Sequence, residues 1–343
     1  MSGAVASVMV LNPGAYTSVQ DRGRVGLRRV GVPWSGALHR ERQGLANALV
    51  GNPAEGPLLE HFDGGLQLQV AQGPVVVAVG GEAEVEIARA GVTRRAACWR
   101  SYVLAAEDRV RVRRTLSGRL VYVAIGALRV PTLLRSASTY ARAGIGRALV
   151  TGDLLQAGEQ RAGERELDVA PGSDPAPIRV VPGPQAGHFT RAALEALVQG
   201  GFTVTEQADR MGVRLRGNAL EHRSPAHREI VSDATVPGSI QVPGNGQPIV
   251  LLADAQTAGG YPKIATVISA DLGRLADCRP GTEVRFAVVS VEEAERAARA
   301  HAAGLATRIG RIRRVAGDGH VDLERLYDGN LVSGMISAHA ETE

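Results

Sequence analysis

Aromatic residues are scarce in this chain, making up 3 % of its 343 residues. Any core must therefore be filled by Val, Leu, Ala and Ile. Cysteine is nearly absent: Cys98 and Cys278 lie far apart, which excludes a disulfide framework and a paired-cysteine metal motif. A reducing cytoplasm is the expected setting. No apolar run approaches the ~18–20 residues that a membrane-crossing helix needs; the longest candidate, residues 75–79, reads as a short strand. The opening Met1-Ser2-Gly3-Ala4 lacks a charged segment followed by an apolar stretch, so no signal peptide is expected. The net charge is only +4, and the densest basic stretch, Arg109, Arg111, Arg113 and Arg114, alternates with valine as one exposed face of a strand would. Aromatics interleaved with basic residues are missing, so no nucleic-acid partner is expected, and with no long apolar run no membrane partner is expected either.

Several chemical motifs are also lacking. No glycine-rich loop precedes a lysine, so there is no phosphate-cradling P-loop. Gly144-x-Gly146 lacks the third glycine of a dinucleotide fingerprint. His222 and His227 are five apart in a proline-interrupted segment, and no metal site is expected there. There is no Gly-x-Ser-x-Gly elbow, and Pro262 and Ile264 flank the lysine where an attached biotin would need methionines.

Lysine itself is the most telling scarcity. Among 39 basic Lys and Arg residues, Lys263 is the single lysine. A GC-rich genome drifts lysine to arginine, and a surface lysine left by chance is the plain alternative. Arginine cannot replace lysine where a compact, titratable ammonium is required, so Lys263 is a candidate functional residue.

What is there is 44 % apolar residues, 42 glycines and 17 prolines, the composition of a globular chain with many turns and short strands. Ser35 reads as the N-cap of a helix over residues 36–50, stopped by Gly51-Asn52-Pro53. Residues 58–128 read as strands, with Leu66-Gln67-Leu68-Gln69-Val70 alternating strictly. Residues 156–177 are the best linker. Beyond them we expect a strand from Ile178, a helix over 190–198, strands near 202–206, 213–216, 238–242 and 249–252, a helix over 263–276, a strand over 283–289 and a terminal helix over 292–304. The expected domains are 1–165, 166–290, and a C-terminal helix and tail, 291–343, packing back on them. Gln20-Asp21-Arg22-Gly23-Arg24 is faintly echoed by Gln207-Ala208-Asp209-Arg210-Met211-Gly212, as a duplicated β-barrel would produce.

Chemistry concentrates in residues 238–263. Gln241, Gln247, Asp254, Gln256 and Thr257 are costly to bury unless satisfied. Clustered amides suit a ligand offering donors and acceptors, such as a urea, lactam or carboxylate. Gly259 and Gly260 allow close backbone approach, and Lys263 would follow at a helix start, where an anion is favoured. The alternative is a turn with structural glutamines. A second stretch holds Gln20, Asp21, Arg22, Arg24, Ser35 and His39, either a surface ion pair or the lining of a pocket mouth. The hydroxyl-rich run 135–140 reads as an ordinary loop.

Taken together, these segments resemble one family. Thr17–Arg24, Ser35-Gly36-Ala37, residues 46–52 with Leu59-Glu60, residues 135–140 and Gly152-Asp153 match its N-terminal signature. Asp209-Arg210-Met211-Gly212, Ile240-Gln241-Val242-Pro243, Gly246-Gln247-Pro248-Ile249 and the run from Asp254 through Gln256, Thr257, Gly259, Gly260 and Tyr261 to Pro262 match its C-terminal one. The family is that of the 5-oxoprolinase C subunit, also called KipA, allophanate hydrolase subunit 2 or biotin-dependent carboxyltransferase, and the resemblance covers residues 8–336. It implies a mainly β fold with a few capping helices, built as two tandem cyclophilin-like β-barrels. It implies a KipI-like B subunit and a LamB/YcsF-like A subunit as partners, and ATP-dependent opening of 5-oxoproline to glutamate, with ATP bound with the partner subunits. The alternatives are a carboxyltransferase or allophanate hydrolase subunit taking carboxybiotin in trans from a separate carrier, and a non-catalytic regulator of a kinase in a KipI–KipA pair. Within this picture Lys263, Asp209 and Arg210 are the expected catalytic residues. Gln241, Gln247, Gln256, Thr257, Gly259, Gly260, Tyr261, Gln20, Asp21, Arg24, Ser35 and His39 are the expected substrate-binding ones, and no metal is expected. The sequence departs from the family pattern at His39, where an aspartate is usual, and at Arg129, which also replaces a carboxylate.

Overall fold

The computed structural model describes residues 6–315 apart from 161 and 173. The first five residues and the tail half of the expected third segment lie outside the described residues. The chain is mainly β, in two tandem cyclophilin-like barrels.

In the first half, strand Ala6–Pro13 pairs with Leu66–Gln72 and with Leu154–Ala157, in a seven-stranded sheet that ends at Val92–Ala96. A second sheet of five strands runs in the order Tyr16–Gln20, Leu58–Phe62, Leu120–Ile125, Val75–Gly80, Ser101–Leu104. Its two central strands, Leu120–Ile125 and Val75–Gly80, are buried along their whole length. They are continuous apolar runs because each face has its own cover, a pattern expected of strands sandwiched on both sides. Val75, Val77, Val79, Val121, Val123 and Ile125 point into the core between the two sheets, with Val8, Val10, Leu66 and Leu68. Val76, Ala78, Leu120, Tyr122 and Ala124 point the other way, onto Leu45, Ala46 and Leu49 of helix Arg40–Leu49. Arg109–Thr115 alternates exposed arginines with buried valines, as its sequence requires. Its arginines meet Glu84 and Glu86 across the sheet.

The second half is an eight-stranded sheet. Its first and last strands, Glu283–Val284 and Phe286–Val288, are separated in the chain by Arg285 alone, so the sheet comes close to closing on itself. The expected single strand over 283–289 is broken there. Phe202, Val204, Val213, Leu215, Ile240, Val250 and Phe286 fill its interior. Helix Arg191–Gln199 starts where Thr190 Oγ1 accepts from Ala193 N at 3.1 Å and contributes Ala193 and Leu197 to the core.

Two expectations fail for identifiable reasons. Helix Arg40–Leu49 begins four residues later than residue 36, and its N-cap is His39, not Ser35. Ser35 and Gly36 have φ of +54° and +86°, a left-handed pair that cannot enter a right-handed helix. A Cβ on Gly36 would lie 2.8 Å from Gly23 N, so the 35–36 turn is shaped by the loop that presses on it. Lys263 does not start a helix. Lys263–Val267 is a central strand between Ser239–Gln241 and Ile178–Pro182, and only Leu272–Ala276 is helical. The run Ile-Ala-Thr-Val carries the β-branched residues that fit a strand.

The expected linker is pinned. Arg165–Leu167 pairs with Ile312–Arg314 after helix Val291–Gly310 has passed over the seam between the halves. That helix opens with a capping box in which Glu293 N donates to Ser290 Oγ and Ser290 N to Glu293 Oε2. Leu305 rests on Gly44, whose missing side chain makes room for it. Among the described residues, no helix is long and apolar enough to cross a membrane.

Candidate functional site

The Asp-Arg echo has a common structural cause. Each aspartate follows the last residue of a strand, Tyr16–Gln20 or Phe202–Ala208, and turns the chain by accepting from an amide two residues on. Asp21 Oδ1 takes Gly23 N at 2.7 Å, and Asp209 Oδ1 takes Met211 N at 2.8 Å. The surroundings differ. Asp21 is buried and also accepts from Ser136 Oγ, Ser138 Oγ and Ala137 N. Burial opposes its charge, but these donors, with Gly23 N, hold its carboxyl below the usual aspartate range. The run 135–140, read as an ordinary loop, is therefore the socket for Asp21. Gln20 is part of the same scaffold: its Nε2 donates to Ser18 Oγ and Thr139 O, and its Oε1 accepts from Gly36 N. Asp209 remains largely exposed, 3.8 Å from Arg142.

Arg210 crosses the seam between the halves. Its Nε and Nη2 donate to both oxygens of Asp254, at 2.9 and 3.1 Å. Its Nη1 donates to Glu60 of the first half, and Nη2 also donates to Gly36 O at 2.7 Å. Glu60 Oε2 accepts from Tyr122 Oη and Leu38 N, and Tyr122 Oη in turn accepts from His39 N. Burial works against the guanidinium, but Glu60 and Asp254 raise its pKa above the ordinary arginine value. Burial and the Glu60 carboxylate push the Tyr122 phenol well up, so it serves as a neutral donor. Asp209 and Arg210 line one side of a cavity of about 430 Å³ with Tyr16, Phe62, Arg119 and Arg142.

Arg24 lies on the same seam, 2 % exposed, and its Nε and Nη1 have no hydrogen-bond partner among the described residues. Ser35 Oγ is likewise buried and unpartnered among them. The backbones of the two residues are held together, Arg24 N donating to Trp34 O at 2.6 Å and Ser35 N to Ala253 O at 2.9 Å. Ser35 and His39 line one cavity of about 280 Å³ with Trp34 and His301, whereas Asp21, Arg22 and Arg24, grouped with them in the sequence as a possible pocket mouth, do not line it. The His39 imidazole is held neutral by burial, reinforced by Arg42 and His301. Its Nδ1 faces Arg42 N at 3.5 Å, a weak cap. An aspartate at this position, the family's usual residue, would cap the same helix more strongly. Arg129, the other departure, is exposed and borders a separate cavity beside Gln160.

A third group surrounds Lys263. The side chain is 2 % exposed, and Nζ donates at 2.9 Å to Oδ2 of half-exposed Asp233. Gln185 braces the pair, accepting from Lys263 N at 3.2 Å and donating to Asp233 Oδ2 at 3.0 Å. Lys263 holds the Asp233 carboxyl below its usual range. The adjacent strand presents Gln241, whose Oε1 accepts from Gln256 Nε2 at 3.3 Å while its own Nε2 is buried without a partner among the described residues. A Cβ on Gly259 would lie 2.6 Å from that nitrogen, so the close approach this glycine allows is made by Gln241. Thr257 O accepts from Thr235 N and Gly260 O from Ile230 N, while Tyr261 is exposed. Gln247 stands apart: it clamps Gly217 N and O just past strand Gly212–Arg216, beside a separate cavity of about 520 Å³. Arg28 ties this group to the first half, donating to Thr235 O and Gln256 O at 2.7 and 2.8 Å.

The seam thus gathers Arg24, Arg28, Arg210 and Ser35 with residues 253–256, while Gln241, Asp233 and Lys263 lie within the second half and reach the seam through Arg28 on Thr235 and Gln256. Sequence reasoning missed Asp233, Gln185, Glu60 as the partner of Arg210, Tyr122 and Arg28. A lone buried lysine demands a counter-ion, but nothing in the local pattern singles out Asp233.

Residues 30–288 match the model of the carboxyltransferase domain, subdomain A and B. The chain belongs to this family. It is 37 % identical to the 5-oxoprolinase C subunit of Escherichia coli over 84 % of its own length and 93 % of that protein, and 37 % identical to the Haemophilus influenzae protein of the same name, over 83 % and 92 %. Among solved structures it is similar to TTHA0988, with 34 % identity and a TM-score of 0.73 over 83 % of this chain and 56 % of that one. It is also similar to the urea carboxylase of Kluyveromyces lactis, with 25 % identity and a TM-score of 0.79 over 94 % of this chain and 31 % of that one. The chain therefore spans just over half of TTHA0988 and about a third of the urea carboxylase.

Proposed function

We propose that this chain is the C subunit of a 5-oxoprolinase-type hydrolase that opens 5-oxoproline to glutamate at the expense of ATP, working with a KipI-like B subunit and a LamB/YcsF-like A subunit. The carrying observation is the buried polar cluster of the second half, where the Lys263 ammonium and the unpartnered Gln241 amide, tied to the first half through Arg28, are donors suited to a ligand that presents acceptors there. Lys263 stabilises the negative charge that develops on the lactam carbonyl oxygen as the ring amide is attacked. Charge stabilisation of this kind in a site prepared in advance is commonly the largest catalytic term. Asp233 and Gln185 hold the ammonium in place. Gln241 and Gln256 present an amide edge that orients the lactam, and Arg210 acts as a positioning residue because its donors are already taken.

ATP belongs to the partner subunits in this reading. Among the described residues, an arginine-rich cavity of about 600 Å³ beneath the terminal helix offers a triphosphate few free donors. Its guanidinium groups already have acceptors: Arg42 on Asp277, Arg179 on Asp271, Arg308 on Glu41 and Arg279 on Gly118 O.

A second reading has specific support in the family model and the likeness to urea carboxylase over 94 % of the chain. In it, the seam receives carboxybiotin from a separate carrier, and the Gln241–Gln256 edge faces a urea-like acceptor. The deciding experiment is ATP-dependent glutamate release from 5-oxoproline by the reconstituted complex, with and without this chain. Release that requires the chain supports the hydrolase. A complete, folded complex that is silent on 5-oxoproline but carboxylates urea in a biotin-dependent way overturns it.

A further inference from the structure

Helix Val291–Gly310 has no buried residue of its own, yet it roofs two cavities, of about 600 and 280 Å³. It is tied at both ends: Val289 N donates to Val180 O at 2.9 Å before it, and Ile312–Arg314 pairs with Arg165–Leu167 after it. Between those ties, Leu305 seats on Gly44, Ile309 packs on the core and Arg308 pairs with Glu41, all toward the C-terminal end of the helix. Ala297, Ala300 and Gly304 line the larger cavity and Ala298 the smaller, small residues that cover the space without filling it.

His39 and His301 line both cavities. The His39 ring lies flat on Gly273, where a Cβ would come within 2.8 Å of its Cγ. His39 also caps helix Arg40–Leu49, its Nδ1 accepting from Arg42 N at 3.5 Å. A proton on Nδ1 would turn that acceptor into a donor and set a cation at the positive end of the helix. It would also add charge to a space that already holds Arg40, Arg42, Arg274, Arg308 and His301. The carboxylates lining the cavities are engaged: Glu41 with Arg308, Asp277 with Arg42, Asp271 with Arg179 and Arg274, Asp174 with Arg274, and Glu82 with Ser117 Oγ. Tyr122, on the strand behind, accepts from His39 N and gives its own proton to Glu60. A charged His39 therefore finds relief only in water, and the terminal helix keeps water out.

We infer that helix Val291–Gly310 is an acid-released lid over the seam, with His39 as the residue that lifts it and His301 as the second charge beneath it. Closed, the lid requires a neutral His39, and burial, with Arg42 and His301, holds that imidazole below its ordinary value. Open, the ring is hydrated and titrates near ~6.5. Protons therefore favour the open lid: closure is complete above that ordinary value and is lost as the pH falls below it. Opening uncovers Trp34 and Ser35, which line the smaller cavity. The lid is independent of which reaction the chain serves.

Amide hydrogen exchange of the full chain at about pH 7.5 and about pH 5.5, corrected for the intrinsic pH dependence of exchange, tests this. Residues 291–304 should exchange about 10-fold faster at the lower pH, the ratio of charged to neutral in an exposed histidine about one unit below its pKa. Ile249–Leu251, inside the second barrel, should keep its protection. His39→Gln and His39→Asp should abolish the step. Glu41→Gln, which frees Arg308, should speed exchange at both pH values and leave the step in place. His301→Gln should shrink the step, and it decides the matter if the His39 variants fail to fold. No step in wild type, an undiminished step in the His39 variants or in His301→Gln, or loss of protection in Ile249–Leu251 together with the helix would each overturn the lid.

Discussion

Arg210 and Arg24 are both buried on the seam between the two halves, and each belongs to a turn opened by a strand-ending aspartate. Arg210 is saturated: two carboxylates and a carbonyl take its donors, and the carboxylates come from opposite halves. Arg24 is open. The difference separates an arginine whose donors are spent inside the fold from one with donors left unpaired among the described residues, and identity of residue type does not reveal it. Two arginines with nearly the same exposure have opposite expected effects when removed.

The largest effect should come from Arg210→Met. It strands Glu60 and Asp254 as buried, unpaired charges, and breaking such a pair costs about 3–5 kcal/mol. Urea denaturation should show stability falling by that amount, while Arg24→Met leaves it unchanged or raises it. Equal losses in the two variants would break the comparison. Lys263 lies between the extremes, with one half-exposed partner. Lys263→Met should lower kcat of the complex by about 100–1,000-fold, the scale of removing one transition-state donor, with substrate affinity nearly kept; a fully active variant removes Lys263 from the mechanism.

The two aspartates sharpen the same contrast. Asp21→Asn loses charge-assisted bonds to Ser136 and Ser138 and should cost about 1–3 kcal/mol. Asp209→Asn keeps its turn and should stay within about 0.5 kcal/mol, as exposed substitutions do. Thermal melts of the pair would measure this directly. A smaller effect is set by pH. His61, beside Thr17 Oγ1 at 2.8 Å, is pushed down to about 4 by burial, and His39 is also depressed. Both are depressed bases, so their contribution is complete above the ordinary histidine value near 6.5 and is lost as the pH falls toward 4, where the unfolded chain has already taken up its protons. Denaturation at several pH values should show stability declining across that window, with a shallower slope in His61→Asn.

Much of the fold was legible because burial imposes period two on a strand. Leu66–Gln72 and Arg109–Thr115 could be read residue by residue. The Lys263–Val267 strand could not, because the helical stretch that follows extends plausibly backward into it, and only pairing with Ser239–Gln241 and Ile178–Pro182 decides the matter. Ser35 failed as a cap because its left-handed backbone is imposed by the 21–24 loop, a contact local sequence does not contain. The candidate site was legible as a set of polar residues too costly to bury without partners. Which of them were already satisfied by one another was not legible: Gln247 on Gly217 and Arg210 on Glu60 are settled by distant chain segments.

The two central strands of the first half have a consequence for how the chain finds its register. In most sheets a slip by one residue exposes apolar side chains to water and is rejected on polarity. Here both faces of Val75–Gly80 are apolar, so polarity offers no protection. Size does. Val76, Ala78 and Gly80 face the helix, and a Cβ on Gly80 would already touch Ala46 and Trp99 at 3.0 Å. A slip would drive the valines of the other face into that narrow side, an overpacking of the kind that costs about 1–3 kcal/mol. The alignment of the barrel is proofread by volume, so enlarging Gly80 or Ala78 should corrupt pairing across the sheet before it disturbs any polar contact.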